Sequence, residues 1–179
     1  MQNDIARVLV TEEELKVRVK ELGDAITAEY EGKDLLVVGI LKGSSVFMSD
    51  LIRQIQIPLN IDFMIVSSYG NATESTGVVK IIKDIEQSIS DKHVLIVEDI
   101  IDSGLTLKYL TEMLKMRKPA SIKLCTLLDK PSGRKVEVDV DYVGFEMPDE
   151  FIVGYGIDYA EGYRNLPYVG ILKPEVYEK

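Results

Sequence analysis

A chain of 179 residues with 46% apolar content can bury a full core, and its length points to one domain spanning 1–179. Thirty acidic residues against 21 basic ones leave a net charge of −9, which repels a phosphate backbone and argues against a nucleic-acid partner. No apolar run approaches the roughly 18 residues needed to cross a bilayer, and MQNDIARVLV lacks the order of a signal peptide, so a soluble, cytoplasmic protein with no membrane partner is expected.

Along the chain, helical and strand periodicities alternate, as in an α/β domain with a mainly parallel sheet. Thr11 and Glu14 make a capping box, and Leu15, Val19, Leu22 and Ile26 then share one face, which predicts a first helix over 12–30. LLVVGIL (35–41), VLIVE (94–98) and IKLCTLL (122–128) are continuous apolar runs, the pattern of strands covered on both faces. VFMSDLIRQI (46–55) and LTLKYLTEMLKM (105–116) supply covering helices. IDFMIVSS and VVKIIK, separated by the polar YGNATESTG, read as a hairpin or a crossing with a long tip. His93, the only histidine, reads as a solvated strand-edge residue, and Cys125, the only cysteine, as a buried structural thiol. With so few of either, zinc sites and Ser-His-Asp or Cys-His catalysis are poorly supplied. After Pro131 the chain is rich in loops, with VGFE (143–146), FIVGYG (151–156) and YVGIL (168–172) as short strands.

The stretch VLIVEDIIDSGLTL (94–107) asks for more than a fold. A strand runs into Glu98, Asp99 and Asp102, then Ser103, Gly104 and Thr106, at the carboxyl edge of a parallel sheet, where ligands bind. Gly104 lets the backbone curl with its amides inward, the following helix offers its positive end, and Ser103 and Thr106 add hydroxyls: a phosphate cradle. It is not a Walker A loop, since no Gly-Lys-Ser/Thr follows. Carboxylates beside a phosphate must answer sugar hydroxyls, a Mg²⁺ ion or a proton to be removed, and one ligand with phosphate, ribose and metal satisfies all three.

These residues resemble the phosphoribosyl-pyrophosphate signature of the type I phosphoribosyltransferases: an apolar run, two acids, two spacers, an Asp, then Ser/Thr-Gly-x-Thr. LKGSSVFMSDLIR (41–53), SSYG and STG (67–77), LLDKPSGR (127–134) and VGFEMPDEFIVGYGIDYAEGYRNLPYVGIL (143–172) are similar, in order, to the first loop, closing loop, base-recognition strand end and hood of the 6-oxopurine branch. The resemblance covers nearly the whole chain. It implies a type I phosphoribosyltransferase fold, a central mainly parallel twisted sheet flanked by helices, with a mobile lid and a small hood drawn largely from about 130–179.

It also implies substrates and roles. The expected reaction transfers the 5-phosphoribosyl group from phosphoribosyl pyrophosphate to hypoxanthine, with guanine as a further acceptor, in a homo-oligomer, dimer or tetramer. Mg²⁺ is the implied cofactor, with Glu98, Asp99 and Asp158 around it. Glu98 and Asp99 would hold the ribose hydroxyls, and the turn Asp102, Ser103, Gly104, Leu105, Thr106 the 5′-phosphate. Pyrophosphate falls to the backbone amides of the Lys42-Gly43 turn and to Arg164 as the bidentate cation, with Ser68 and Tyr69 on the lid. Asp102 is the implied general base at purine N7, Lys130 the donor to O6, Phe151 the stacking ring and the Val153 backbone the contact to the pyrimidine edge. Leu105 stands where some relatives carry a lysine, which removes a cation from the cradle. A transferase for xanthine or another base, or a donor-responsive regulator, would share the cradle.

Overall fold

The computed structural model describes residues 1–68 and 79–178, with position 68 described through its backbone. The expectations for the Ser68 side chain, for Tyr69 and for the lid tip lie outside the described residues.

Among the described residues, nine strands and four α-helices follow in order: β1 (Ile5–Val10), α1 (Glu12–Tyr30), β2 (Leu35–Leu41), α2 (Ser45–Ile52), β3 (Leu59–Ser68), β4 (Val79–Lys83), β5 (His93–Ile101), α3 (Leu105–Lys115), β6 (Ser121–Asp129), β7 (Tyr142–Glu146), β8 (Ile152–Val153), β9 (Val169–Leu172) and α4 (Pro174–Tyr177). Six strands form the main sheet in the order β4-β3-β2-β5-β6-β7, all parallel except β4, which runs antiparallel to β3 as a hairpin partner.

Both faces of this sheet are buried, as the continuous apolar runs require. Leu35, Val37, Leu95, Val97, Cys125 and Leu127 pack on one face beneath α1 and α2. Leu36, Val38, Val94, Ile96 and Leu124 pack on the other beneath Leu107, Leu110 and Leu114 of α3. Thr11 accepts from the Glu14 amide and Glu14 accepts from the Thr11 amide, so the capping box starts α1 where the sequence places it. The Cys125 thiol is fully buried, and burial pushes its pKa upward.

Two expectations are corrected. β5 does not stop at Glu98: its ladder with β6 continues through Ile101 and Asp129, so Glu98 and Asp99 are strand residues. His93 is half-buried, its Nδ1 2.8 Å from Ser121 Oγ and its ring edge-on to Tyr30.

A second sheet, β1-β9-β8, stands beside the first and is antiparallel throughout. The amino-terminal strand therefore contributes to it as much as the carboxyl-terminal segment does, whereas β7, from within 130–179, belongs to the main sheet. The segment before Asp158 presses against the turn after β2: Gly156 has φ 101°, and a Cβ there would overlap the Gly43 carbonyl. An alanine at 156 meets both a forbidden φ and a backbone collision, so Gly156→Ala is expected to cost about 2–4 kcal/mol, read as a lowered midpoint in urea unfolding.

Candidate active site

The turn after β5 is built as a cradle. Gly104 has φ 78° at the position before α3, and a Cβ there would press into Val138. Ser103 Oγ accepts from the Leu105 amide at 3.4 Å, so this hydroxyl serves the helix start and Leu105 contributes backbone to the turn. Glu98, Ile100, Ile101, Asp102, Ser103, Gly104, Thr106 and Leu107 line a cavity of about 240 Å³. The segment after β6 straps the turn in place. Lys130 N donates to Ile101 O at 2.9 Å, Arg134 Nη1 to Asp102 O at 3.1 Å, and Lys135 N to Ser103 O at 2.9 Å. Arg134 also pairs with Asp129, and Gly133 lies so close to the Asp102 carboxylate that a Cβ would overlap it.

A second cavity, of about 190 Å³, adjoins the first and is lined by Ile100, Asp102, Lys130, Glu150, Phe151, Ile152, Ile157 and Asp158. Only Ile100 and Asp102 line both. Lys130 is 9% exposed, with Nζ 3.1 Å from Asp149 and 3.8 Å from Asp102 Oδ2, and it donates to the Glu150 carbonyl at 3.4 Å. This nearly buried ammonium, held by two carboxylates and a carbonyl, is a cationic donor at the cavity wall. Phe151 lies against this space, with Tyr177 stacked on it at 4.4 Å and the Tyr159 edge at 5.4 Å, so one ring face is already covered. Val153 is fully buried and pairs with Gly170; the residue of β8 that lines the cavity is Ile152.

The turn after β2 completes the arrangement. Gly43 sits against the Asp99 carboxylate, which a Cβ would overlap, and Ile100 N donates to Asp99 Oδ1 at 2.8 Å. Loss of solvent around Glu98, then the neighbouring Asp99 charge, hold the Glu98 carboxyl well above the usual range. Arg164 donates from Nη1 to Gly156 O at 2.8 Å, and its Nη2 lies 2.9 Å from Asp158. Lys42 Nζ lies 3.0 Å from Glu161.

Glu98, Asp99 and Asp158 do not converge into a metal cage: no cluster of three acidic, His or Cys ligands occurs among the described residues. Asp158 is engaged by Arg164 and by the Glu161 amide at 2.9 Å. Mg²⁺ commonly binds through one or two carboxylates plus substrate phosphates and keeps several waters. The set fits an ion that arrives on a phosphorylated ligand better than a resident one. Sequence reasoning did not single out Asp149, Ile152, Ile157, Gly133, Arg134 and Glu161, whose places depend on contacts between distant segments.

A parallel sheet with a cradle at its carboxyl edge and an adjoining small cavity defines a phosphoribosyl transferase domain, and the family model of that description matches residues 9–160. The chain is 60% identical over 178 residues to a hypoxanthine-guanine phosphoribosyltransferase of Bacillus subtilis (strain 168), covering 99% of each chain, and belongs to that family. It is also 60% identical over 179 residues to a bifunctional protein TilS/HprT of Listeria innocua, of whose length it spans 28%. A crystal structure of a hypoxanthine phosphoribosyltransferase from Staphylococcus aureus superposes with a TM-score of 0.98 at 58% identity, covering 100% of this chain and 97% of that one.

Proposed function

We propose that the chain transfers the 5-phosphoribosyl group from phosphoribosyl pyrophosphate to hypoxanthine or guanine, giving the nucleoside monophosphate and pyrophosphate, as a purine-salvage enzyme of the cytoplasm. The observation that carries this reading is Asp102, which lines both the cradle and the base cavity within 3.8 Å of the Lys130 ammonium.

Breaking the bond at the ribosyl carbon builds positive charge on the sugar and negative charge on the leaving pyrophosphate, and the chain meets each with opposite charge. The turn from Asp102 to Thr106 receives the 5′-phosphate. Glu98 and Asp99 face the ribose hydroxyls, and the Asp99 charge favours a cationic sugar. Lys42, Gly43 and Arg164 receive pyrophosphate, with Ser68 and Tyr69 assigned to cover it. Mg²⁺, carried in by the donor, would neutralise part of the departing charge, with Asp158 as a direct or water-mediated partner. Lys130 donates to O6 and Asp102 takes the proton from N7 as the purine becomes charged. Phe151 offers the ring its free face, and backbone at Ile152 and Val153 lies along the pyrimidine edge.

Supplying Mg²⁺, the donor and each base in turn tests the whole reading. Nucleoside monophosphate should form with hypoxanthine and guanine and not with adenine; failure of both 6-oxopurines would remove the acceptor assignment. Thr106→Val, which loses a hydroxyl at the cradle, is expected to weaken donor and product nucleotide alike by roughly tenfold, read by calorimetry.

A further inference from the structure

Tyr159 and Gly162 exchange backbone hydrogen bonds of 3.3 and 2.9 Å, and the two residues between them, Ala160 and Glu161, have φ of 49° and 65°. Two-residue turns with positive φ at both centres ordinarily use Asn, Asp or Gly, because a Cβ is disfavoured there. Ala and Glu in this turn store backbone strain, which persists only where the surroundings over-determine it and which gathers at ligand sites. The turn sets Glu161 Oε2 3.0 Å from Lys42 Nζ and 3.5 Å from Arg164 Nη2, so a single carboxylate oxygen reaches two cations on segments 122 residues apart in number, from 42 to 164. Lys42 has no other acidic partner among the described residues.

We propose that Glu161 is an internal anion that pairs with the pyrophosphate cations until the donor displaces it, thereby setting the affinity for pyrophosphate. The inference rests on the assignment of Lys42 and Arg164 to pyrophosphate made above. The two carboxylates beside Arg164 divide the work. Asp158, 30% exposed and 2.9 Å away, keeps the guanidinium aimed, while Glu161, 67% exposed and farther off, is the replaceable partner. The Lys42 end is equally open, at 66% exposure. Exposed ion pairs of this kind are weak, so a polyanion displaces one carboxylate at little cost while the cations remain oriented in its absence. An anion that must leave before pyrophosphate enters lowers affinity for donor and product together, which favours release of the product.

Calorimetric titration of the purified protein with inorganic pyrophosphate in magnesium buffer tests this. Glu161→Gln is expected to bind pyrophosphate about three- to tenfold more tightly than the wild type at low salt, with the ratio approaching one near 0.5 M salt. The KM for phosphoribosyl pyrophosphate should fall in parallel. Asp24→Asn, which removes a carboxylate paired instead with Lys20 at 2.6 Å, should leave pyrophosphate affinity unchanged. Equal or weaker binding by Glu161→Gln, with a wild type that binds pyrophosphate in competition with the donor, would overturn the role of Glu161 and leave the proposed function standing. Tightening of the same size in Asp24→Asn would overturn it as a general charge effect. A wild type that binds pyrophosphate without competing with the donor would remove the assignment of Lys42 and Arg164, and the inference with it.

Discussion

Asparagine in place of Asp102 is expected to slow phosphoribosyl transfer by about 10²–10⁴-fold while leaving the KM for the donor within about threefold. Asn keeps the size of the side chain, which matters because Gly133 leaves no room beside the carboxylate for anything larger. It also leaves Lys130 a partner in Asp149 at 3.1 Å, so the ammonium is not stranded. What the amide cannot do is accept a proton from the purine as the new bond forms. The phosphate turn is held independently of that carboxylate, because the Arg134 contact is made to the Asp102 carbonyl. Donor binding and transfer should therefore separate in steady-state kinetics. A variant with normal kcat would remove Asp102 from the proton-accepting role, and one that lost donor affinity alone would make it a phosphate-turn residue.

The second large effect is expected from Lys130→Met. Its ammonium is nearly dry, and among the groups lining the base cavity it is the cationic donor. A site built to donate to O6 rejects a 6-amino purine because donor then faces donor and a buried group goes unpaired. Methionine fills the volume without the charge. The kcat/KM for hypoxanthine should fall by about 10²-fold or more, and the preference for hypoxanthine over adenine should shrink by a similar factor, because only the favoured base loses a hydrogen bond. Measuring both bases with one enzyme preparation separates this from a loss of active protein, which would lower both rates equally. An unchanged preference would place the selection for the 6-oxo group elsewhere.

Much of the frame was legible because local rules and the final fold agree. Thr11, Glu14 and the apolar face of α1 specify the same helix that packing completes, and the uninterrupted run Leu35–Leu41 has the pattern of a strand covered on both sides, as it is. The turn was legible for a related reason: the positive φ of Gly104 and the Ser103 hydroxyl that accepts from the Leu105 amide act within a few residues of one another.

What stayed hidden depends on distant partners. The exposed face of Ile5–Val10 gives little signal, and its pairing with Val169–Leu172 reaches across almost the whole chain. Glu98 and Asp99 look like the end of a strand, yet the neighbouring ladder carries β5 three residues further. In β8 the side chains alternate between faces, and Ile152, which no local pattern singles out, is the one that lines the cavity. The turn at Ala160 and Glu161 lacks the glycine or asparagine that announces its type, so no sequence rule placed a carboxylate over Lys42.

A crystal grown with inosine 5′-monophosphate tests the account most directly. The phosphate should sit on the amides of 102–106, with the hypoxanthine ring against Phe151, O6 within hydrogen-bond distance of Lys130 Nζ and N7 facing Asp102. A nucleotide bound elsewhere, or turned so that its base points away from Lys130 while the turn at Gly104 holds nothing, would contradict it.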